Sequence, residues 1–172
     1  MLDFPAPILI AIGANLPSPE FGPPRATCEA ALQELSRRGL RIVRRSRWFE
    51  TAPIPASDQP WYVNGVAAVE TDLSPEALLA LLHEVERRFG RERRELNAAR
   101  ILDLDIVAYG DLVRTDPPPI LPHPRMHERA FVLLPLADVA ADWRHPVDGR
   151  PLSELLRVLP AEQPIRPLAD GR

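Results

Sequence analysis

Residues 101–108 are apolar except at Asp103 and Asp105. In a strand, successive side chains point to opposite faces. The two carboxylates therefore share one face, with Leu102, Leu104 and Ile106 on the reverse. A rise of about 3.3 Å per residue sets the two aspartates roughly 6.5–7 Å apart. That span suits one or two hard cations held jointly with polyphosphate oxygens. A solvated amphipathic strand gives the same alternation, so the choice depends on what flanks it.

The rest of the pattern predicts strands and helices in turn. Residues 7–12 are a continuous apolar run, as in a central strand. The run ends in Gly13-Ala14-Asn15-Leu16, a turn in which backbone amides can face an anion or Asn15 simply closes the bend. Cys28, Ala31, Leu32 and Leu35 mark a helix over 24–38, stopped by Gly39. Residues 40–49 read as a strand with alternation broken by arginines, and 51–60 as loop. Residues 61–71 read as a strand with Tyr62 and Asn64 on one face and Val63, Ala67 and Val69 on the other. Asparagine is disfavoured inside a strand. Buried, its amide can read the donor and acceptor edge of a heterocycle; on an edge strand it is ordinary surface.

Ser74-Pro75-Glu76 opens a helix, with a capping serine and proline at the first helical position. Leu78, Leu81, Leu82, Val85 and Phe89 form its stripe. Residues 91–100 are polar, arginine-rich and lead into the Asp-bearing strand, as expected of a basic loop feeding a metal–polyphosphate site. Residues 116–124 are a proline-rich connector containing His123. Phe131, Leu133 and Leu134 have helical spacing within 126–136; residues 143–150 are turn-rich and 152–159 a short helix. The order β-α-β-loop-β-α-loop-β-helix predicts an α+β protein, a ferredoxin-like αβ sandwich with an antiparallel sheet and helices packed on it. Residues 1–172 are expected to form one domain, with a core over about 7–160 and a loose tail over 161–172.

Composition narrows the chemistry. The 172 residues are 45% hydrophobic and 26% charged, as in a globular protein. No apolar run approaches the ~20 residues of a membrane span, and the N-terminus shows no secretory pattern. The expected compartment is the cytoplasm. One cysteine, Cys28, excludes an internal disulfide and falls on an apolar helix face. A net charge of −3 gives no general reason to expect nucleic-acid binding. All 21 basic residues are arginine, which excludes lysine-dependent mechanisms.

Set side by side, several fragments are similar to those of 6-hydroxymethyl-7,8-dihydropterin pyrophosphokinases, a family of folate biosynthesis. They are Ala11-Ile12-Gly13-Ala14-Asn15-Leu16, Glu50-Thr51-Ala52-Pro53, Asp58-Gln59-Pro60-Trp61-Tyr62-Val63-Asn64, Gly90-Arg91-Glu92-Arg93, Arg100-Ile101-Leu102-Asp103-Leu104-Asp105, and Leu121-Pro122-His123-Pro124 with Arg129-Ala130-Phe131. The resemblance implies transfer of the β,γ-diphosphoryl group of ATP to the pterin hydroxymethyl oxygen, with release of AMP. It implies two Mg²⁺ ions at Asp103 and Asp105, and phosphate contacts and charge stabilisation from Arg91, Arg93 and Arg100. It also implies ATP contacts from Glu86, His123 and Arg129, and a pterin pocket shaped by Thr51, Pro53, Ile54, Asn64 and Phe131.

The chain departs from the family where members carry Arg-Trp-Gly-Pro-Arg before the aspartates. It has Leu96-Asn97-Ala98-Ala99-Arg100, without the tryptophan that seals the closed site, so altered closure of residues 91–99 and altered ATP affinity are expected. Arg94 stands where a lysine can occur, and Pro118 where some members have arginine. A monomer with ATP and the pterin as its partners, and neither nucleic acid nor membrane, is the expectation. Two other readings stand beside it. One is a different Mg²⁺-dependent nucleotidyl or phosphoryl transferase. The other is an RNA-binding ferredoxin-like module, which the carboxylates on the strand and the negative charge disfavour.

Overall fold

The computed structural model describes residues 5–53, 55–90 and 99–169. Strand β1 (Ile8–Ala14) leads through an 18–22 turn to helix α1 (Pro24–Arg37). Gly39, at φ +102°, ends α1: the Leu40 N–H reaches the Leu35 carbonyl and the Gly39 N–H that of Ser36. These two bonds satisfy carbonyls a helix end would otherwise leave open. Strands β2 (Arg41–Arg45), β3 (Phe49–Thr51) and β4 (Tyr62–Glu70) follow, then helix α2 (Pro75–Arg88) and strand β5 (Asp103–Tyr109). The Ser74 hydroxyl caps α2 by accepting from the Ala77 N–H at 3.1 Å. A 3₁₀ turn (Met126–Glu128), helices α3 (Ala130–Val139) and α4 (Leu152–Arg157), and strand β6 (Ile165–Pro167) complete the described chain.

The described strands form one antiparallel sheet, ordered β5-β1-β4-β3-β6, with β2 beside the far half of β4. The first six elements around it run βαββαβ once β2 and β3 are counted as one interrupted strand, which is the α+β arrangement expected. Side chains alternate between two cores. Ile10 and Ile12 of β1, Val63, Ala67 and Val69 of β4, and Leu104 and Ile106 of β5 pack against α1 and α2. Leu9, Val66, Ala68 and Val107 pack on the opposite face against α3 and α4. Helices thus cover both faces of the sheet.

Three details correct the sequence reading. Residues 40–49 are not one strand: β2 bulges between Ile42 and Arg44 and ends at Arg45. The chain then turns Trp48 into the core, over Gly65, where an added Cβ would lie 2.5 Å from the indole ring. Arg45 pairs with Glu29 of α1, which also accepts the Trp48 indole N–H at 2.8 Å. Arg45, one of the arginines that broke the alternation, therefore belongs to an ion pair flanking the tryptophan. Next, helix 126–136 is broken at Arg129, which is extended (φ −114°, ψ 110°) between the 3₁₀ turn and α3. Finally, the tail is not loose up to Ala169. Strand β6 pairs with β3, and the Leu168 N–H bonds the Trp48 carbonyl at 2.8 Å.

Candidate active site

Antiparallel register brings the site residues into a row. Asp103 lies opposite Gly13, Gly13 opposite Asn64, and Asn64 opposite Phe49. Asp105 lies opposite Ala11 in the adjacent row. Directly paired residues share a face, so both aspartates and Asn64 occupy the α3 side of the sheet. Leu102, Leu104 and Ile106 are buried on the other side, as predicted. Gly13 is required here because a Cβ would sit 2.5 Å from Asn64 Oδ1. The missing side chain lets the asparagine amide lie across β1 toward the aspartates. Asn64 is buried, and its Nδ2 donates to Thr51 Oγ1 at 2.6 Å. That bond leaves Oδ1 turned to the row as an acceptor.

Cations flank the carboxylates on two sides. Arg100 Nη1 lies 3.0 Å from Asp103 Oδ2. Its backbone is fixed by Asn15, whose Oδ1 accepts the Arg100 N–H at 2.7 Å while the Asn15 N–H reaches the Arg100 carbonyl at 2.9 Å. Asn15 Nδ2 also donates to Gln59 Oε1 and the Pro60 carbonyl, both at 3.1 Å. One buried amide therefore ties the 13–16 turn, the 51–60 loop and the entry to β5.

Arg129 sits on the other side, its guanidinium 5.3 Å from the Phe131 ring centroid. Burial pulls its pKa below the usual arginine range, and Asp105 pulls back most strongly. His123 is bound through its backbone N–H to the Val107 carbonyl, and its Nδ1 accepts from the Arg125 N–H at 3.2 Å. Burial, with Arg129 and Arg125 beside it, lowers its pKa to about 4 against the pull of Asp103. At neutral pH this imidazole is uncharged, and with Nδ1 accepting it carries its proton on Nε2.

Glu86 is buried on α2 and accepts the Leu104 N–H at 2.9 Å. It thereby holds the edge strand at the residue between the two aspartates. Thr51 is buried at the end of β3, Pro53 is half-buried beyond it, and Phe131 is half-buried in the first turn of α3. A narrow cleft is lined by Thr51, Ala52, Ala130, Phe131, Gln163, Pro164 and Ile165. Ile54, Arg91 and Arg93, like most of the 91–99 loop, lie outside the described residues.

Thus Asp103, Asp105, Asn64, Thr51, Arg100, His123, Arg129 and Phe131 gather on one side of the sheet, while Glu86 supports it from α2. Sequence reasoning left Asn15 as a turn residue and missed Gln163 and its neighbours. The Gly13-Ala14-Asn15 turn carried a weak signal for the first. The tail carried none for the second, because an edge strand of three residues has no periodicity to read.

A sequence model of the 7,8-dihydro-6-hydroxymethylpterin-pyrophosphokinase family matches residues 9–141. The chain belongs to this family. It is 42% identical over 156 residues to the 2-amino-4-hydroxy-6-hydroxymethyldihydropteridine pyrophosphokinase of Pseudomonas aeruginosa, covering 90% of this chain and 93% of that one. The enzyme of the same name from Synechocystis is 34% identical, over 98% of this chain and 85% of its own. In structure the chain is similar to the HPPK-DHPS protein of Plasmodium falciparum (triple mutant), with TM-score 0.67 and 15% identity, covering 90% of this chain and 44% of that one. An HPPK-DHPS crystal structure in complex with substrates gives TM-score 0.67 at 13% identity, over 90% of this chain and 43% of that one. At those identities the solved structures establish the fold, and the chain spans less than half of their length. As a member of the pyrophosphokinase family the protein is an enzyme, a transferase of the folate-synthesis pathway. Its expected site residues, where described, lie on the aspartate side of the sheet or directly behind it.

Proposed function

We propose that this chain transfers the β,γ-diphosphoryl group of ATP, as a unit, to the hydroxymethyl oxygen of 6-hydroxymethyl-7,8-dihydropterin on the α3 face of the sheet, releasing AMP. The observation that carries the proposal is the row Asp103–Gly13–Asn64. It puts a metal-type carboxylate and a heterocycle-reading amide side by side, with an arginine at either flank.

The donor set fits Mg²⁺. Asp103 and Asp105 supply hard carboxylate oxygens on one face, and among the described residues no third His, Cys, Asp or Glu completes a protein-only cage. A site of that kind leaves positions for phosphate oxygens and water, the usual mode for this ion. Two such ions would supply charge neutralisation of the triphosphate and alignment of the transferred group.

The residues present do the remaining work. Arg100, now on Asp103, and Arg129, beside Asp105, neutralise equatorial and bridging oxygens as negative charge spreads in the transition state. His123 donates from Nε2 to a phosphate oxygen without adding charge. Thr51 orients the Asn64 amide so that Oδ1 receives a pterin N–H, and Phe131 offers an aromatic face to the flat ring. The family resemblance assigns phosphate contacts to Arg91 and Arg93 and the pterin pocket to Pro53 and Ile54; of these only Pro53 is among the described residues. Glu86 keeps the aspartates in register in addition to its expected proximity to ATP. Positioning and electrostatics then suffice, because a neutralised phosphoryl group needs no strong base at the attacking hydroxyl.

A monomer acting in the cytoplasm, with ATP and the pterin as partners and without nucleic acid or membrane, completes the proposal. The net charge of −3 bears on nucleic acid alone, and among the described residues no helix is long and apolar enough to cross a membrane. The test is product analysis with ATP, Mg²⁺ and the hydroxymethyl pterin. AMP appearing in step with pterin diphosphate is expected; ADP as the sole nucleotide product would sink the reading.

A further inference from the structure

Helix α3 begins without a side-chain cap from its own N-cap residue, Arg129. The Ala130 N–H is therefore one of the donors a helix start leaves open. Its acceptor comes from 33 residues away: Gln163 Oε1 receives it at 3.0 Å. The same side chain donates from Nε2 to the Glu128 carbonyl at 2.9 Å and the Pro160 carbonyl at 3.1 Å. On the other side of this segment, the Pro164 carbonyl accepts the Ala52 N–H at 3.1 Å, and Ile165 pairs with Thr51. Residues 163–165 thus bridge the start of α3, where Arg129 and Phe131 flank Ala130, to the end of β3, which carries Thr51. They also line the cleft shared by Thr51 and Phe131.

We infer that residues 163–165 form a wall of the pterin pocket and that Gln163 is a positioning residue of the enzyme. By capping α3 it fixes where Phe131 stands relative to Thr51. The inference rests on the pterin assignment proposed above. Glutamine has the reach and both bonding senses for this place. Glutamate keeps the acceptor for Ala130 and suits a helix N-terminus, but sets a carboxylate oxygen against the Glu128 and Pro160 carbonyls that Nε2 bonds. Leucine keeps the bulk and loses every bond.

The test compares Gln163→Leu, Gln163→Glu and Arg166→Ala in the full chain. Arg166 serves as the control. It lies in the same segment, pairs with Glu50 at 2.7 Å and stacks over Trp61, with no hydrogen bond to α3 among the described residues. Gln163→Leu should raise the pterin KM about five- to tenfold with kcat within about twofold, the size of a lost helix cap. It should also speed hydrogen exchange at the Ala130 amide about tenfold. Arg166→Ala should stay within about twofold on both readouts, and Gln163→Glu, which keeps only the bond to Ala130, should fall between it and Gln163→Leu.

An unchanged pterin KM together with unchanged Ala130 exchange in Gln163→Leu would overturn the inference. So would losses in Arg166→Ala equal to those in Gln163→Leu, since these would reflect general loosening of the segment. Damage in Gln163→Glu matching that in Gln163→Leu would overturn the capping role. If the wild-type enzyme transfers nothing to the pterin, the functional reading fails first, and Ala130 exchange still decides whether Gln163 caps α3.

Discussion

Asp103 and Asp105 share a sheet face: Arg100 lies against the first, and both act on Arg129, Asp105 the more strongly. Replacing either aspartate by asparagine removes a metal-type oxygen donor while keeping the shape. Each change should lower turnover by a factor on the order of 10² to 10³. Stability should change by less than about 1 kcal/mol, because partly exposed ion pairs contribute little. Near-normal turnover in either variant at limiting Mg²⁺ would contradict the metal role. His123 permits a separate test by pH. Its folded pKa of about 4 lies below the ordinary imidazole value of 6.5, so the unfolded chain takes up the proton first. Between pH 6.5 and about 4 the unfolded state binds more protons, and stability falls as the pH drops through that window. Urea unfolding of the wild type should therefore lose more stability from pH 7 to pH 5 than His123→Gln does. An equal loss in both proteins would show that His123 is not the group responsible.

At the level of elements, β5 has β1 as its only strand neighbour among the described residues, and Glu86 of α2 meets the Leu104 N–H. Glu86→Ala should leave that buried donor without its carboxylate acceptor, at a cost of about 1–3 kcal/mol in urea unfolding. Glu86→Gln retains an acceptor and should lose less. Equal stability for Glu86→Ala and wild type would mean that water or a neighbour replaces the bond at no cost.

Elements with a strong period were legible in the sequence. The α2 stripe and its Ser74 cap, the apolar β1 run and the Asp–Leu alternation of β5 all appear where expected. The interruption of 40–51 was not legible, since it depends on Trp48 crossing Gly65, a contact made only when β4 is in place. Nor was the break at Arg129: residues 126–136 have helical spacing, and tertiary pairing with the tail decides where the helix begins. In the site, the carboxylates and Asn64 could be read from alternation. Gly13 could not, because its role is to leave room for a side chain on another strand. Gln163 could not either, because its partner lies 33 residues away, and the 13–16 turn signalled Asn15 only weakly, its partner Arg100 lying 85 residues away.

For the molecule as a whole, one sheet supplies both cores. Neighbouring residues of β1, Leu9 and Ile10, belong to opposite cores, as do Val66 and Ala67 of β4. Neither core can be lost without stripping one face of the strands that carry the other, so the chain should unfold in a single cooperative step. Tryptophans provide reporters for each side. Trp48 is buried in the α1/α2 core and Trp143 in the α3/α4 core, while Trp61 is 42% exposed. Trp48→Phe leaves Trp143 as the buried reporter, and Trp143→Phe leaves Trp48. Both substitutions will shift the midpoint, so the comparison belongs within each variant, between tryptophan fluorescence and far-ultraviolet circular dichroism. The two signals should give one urea midpoint and one slope in each variant. If fluorescence from Trp143 is lost at a lower urea concentration than the sheet signal, the α3/α4 layer opens by itself. The aspartates would then keep their strand while Arg129 and Phe131 move away, and the site would owe its assembly to that layer's own stability.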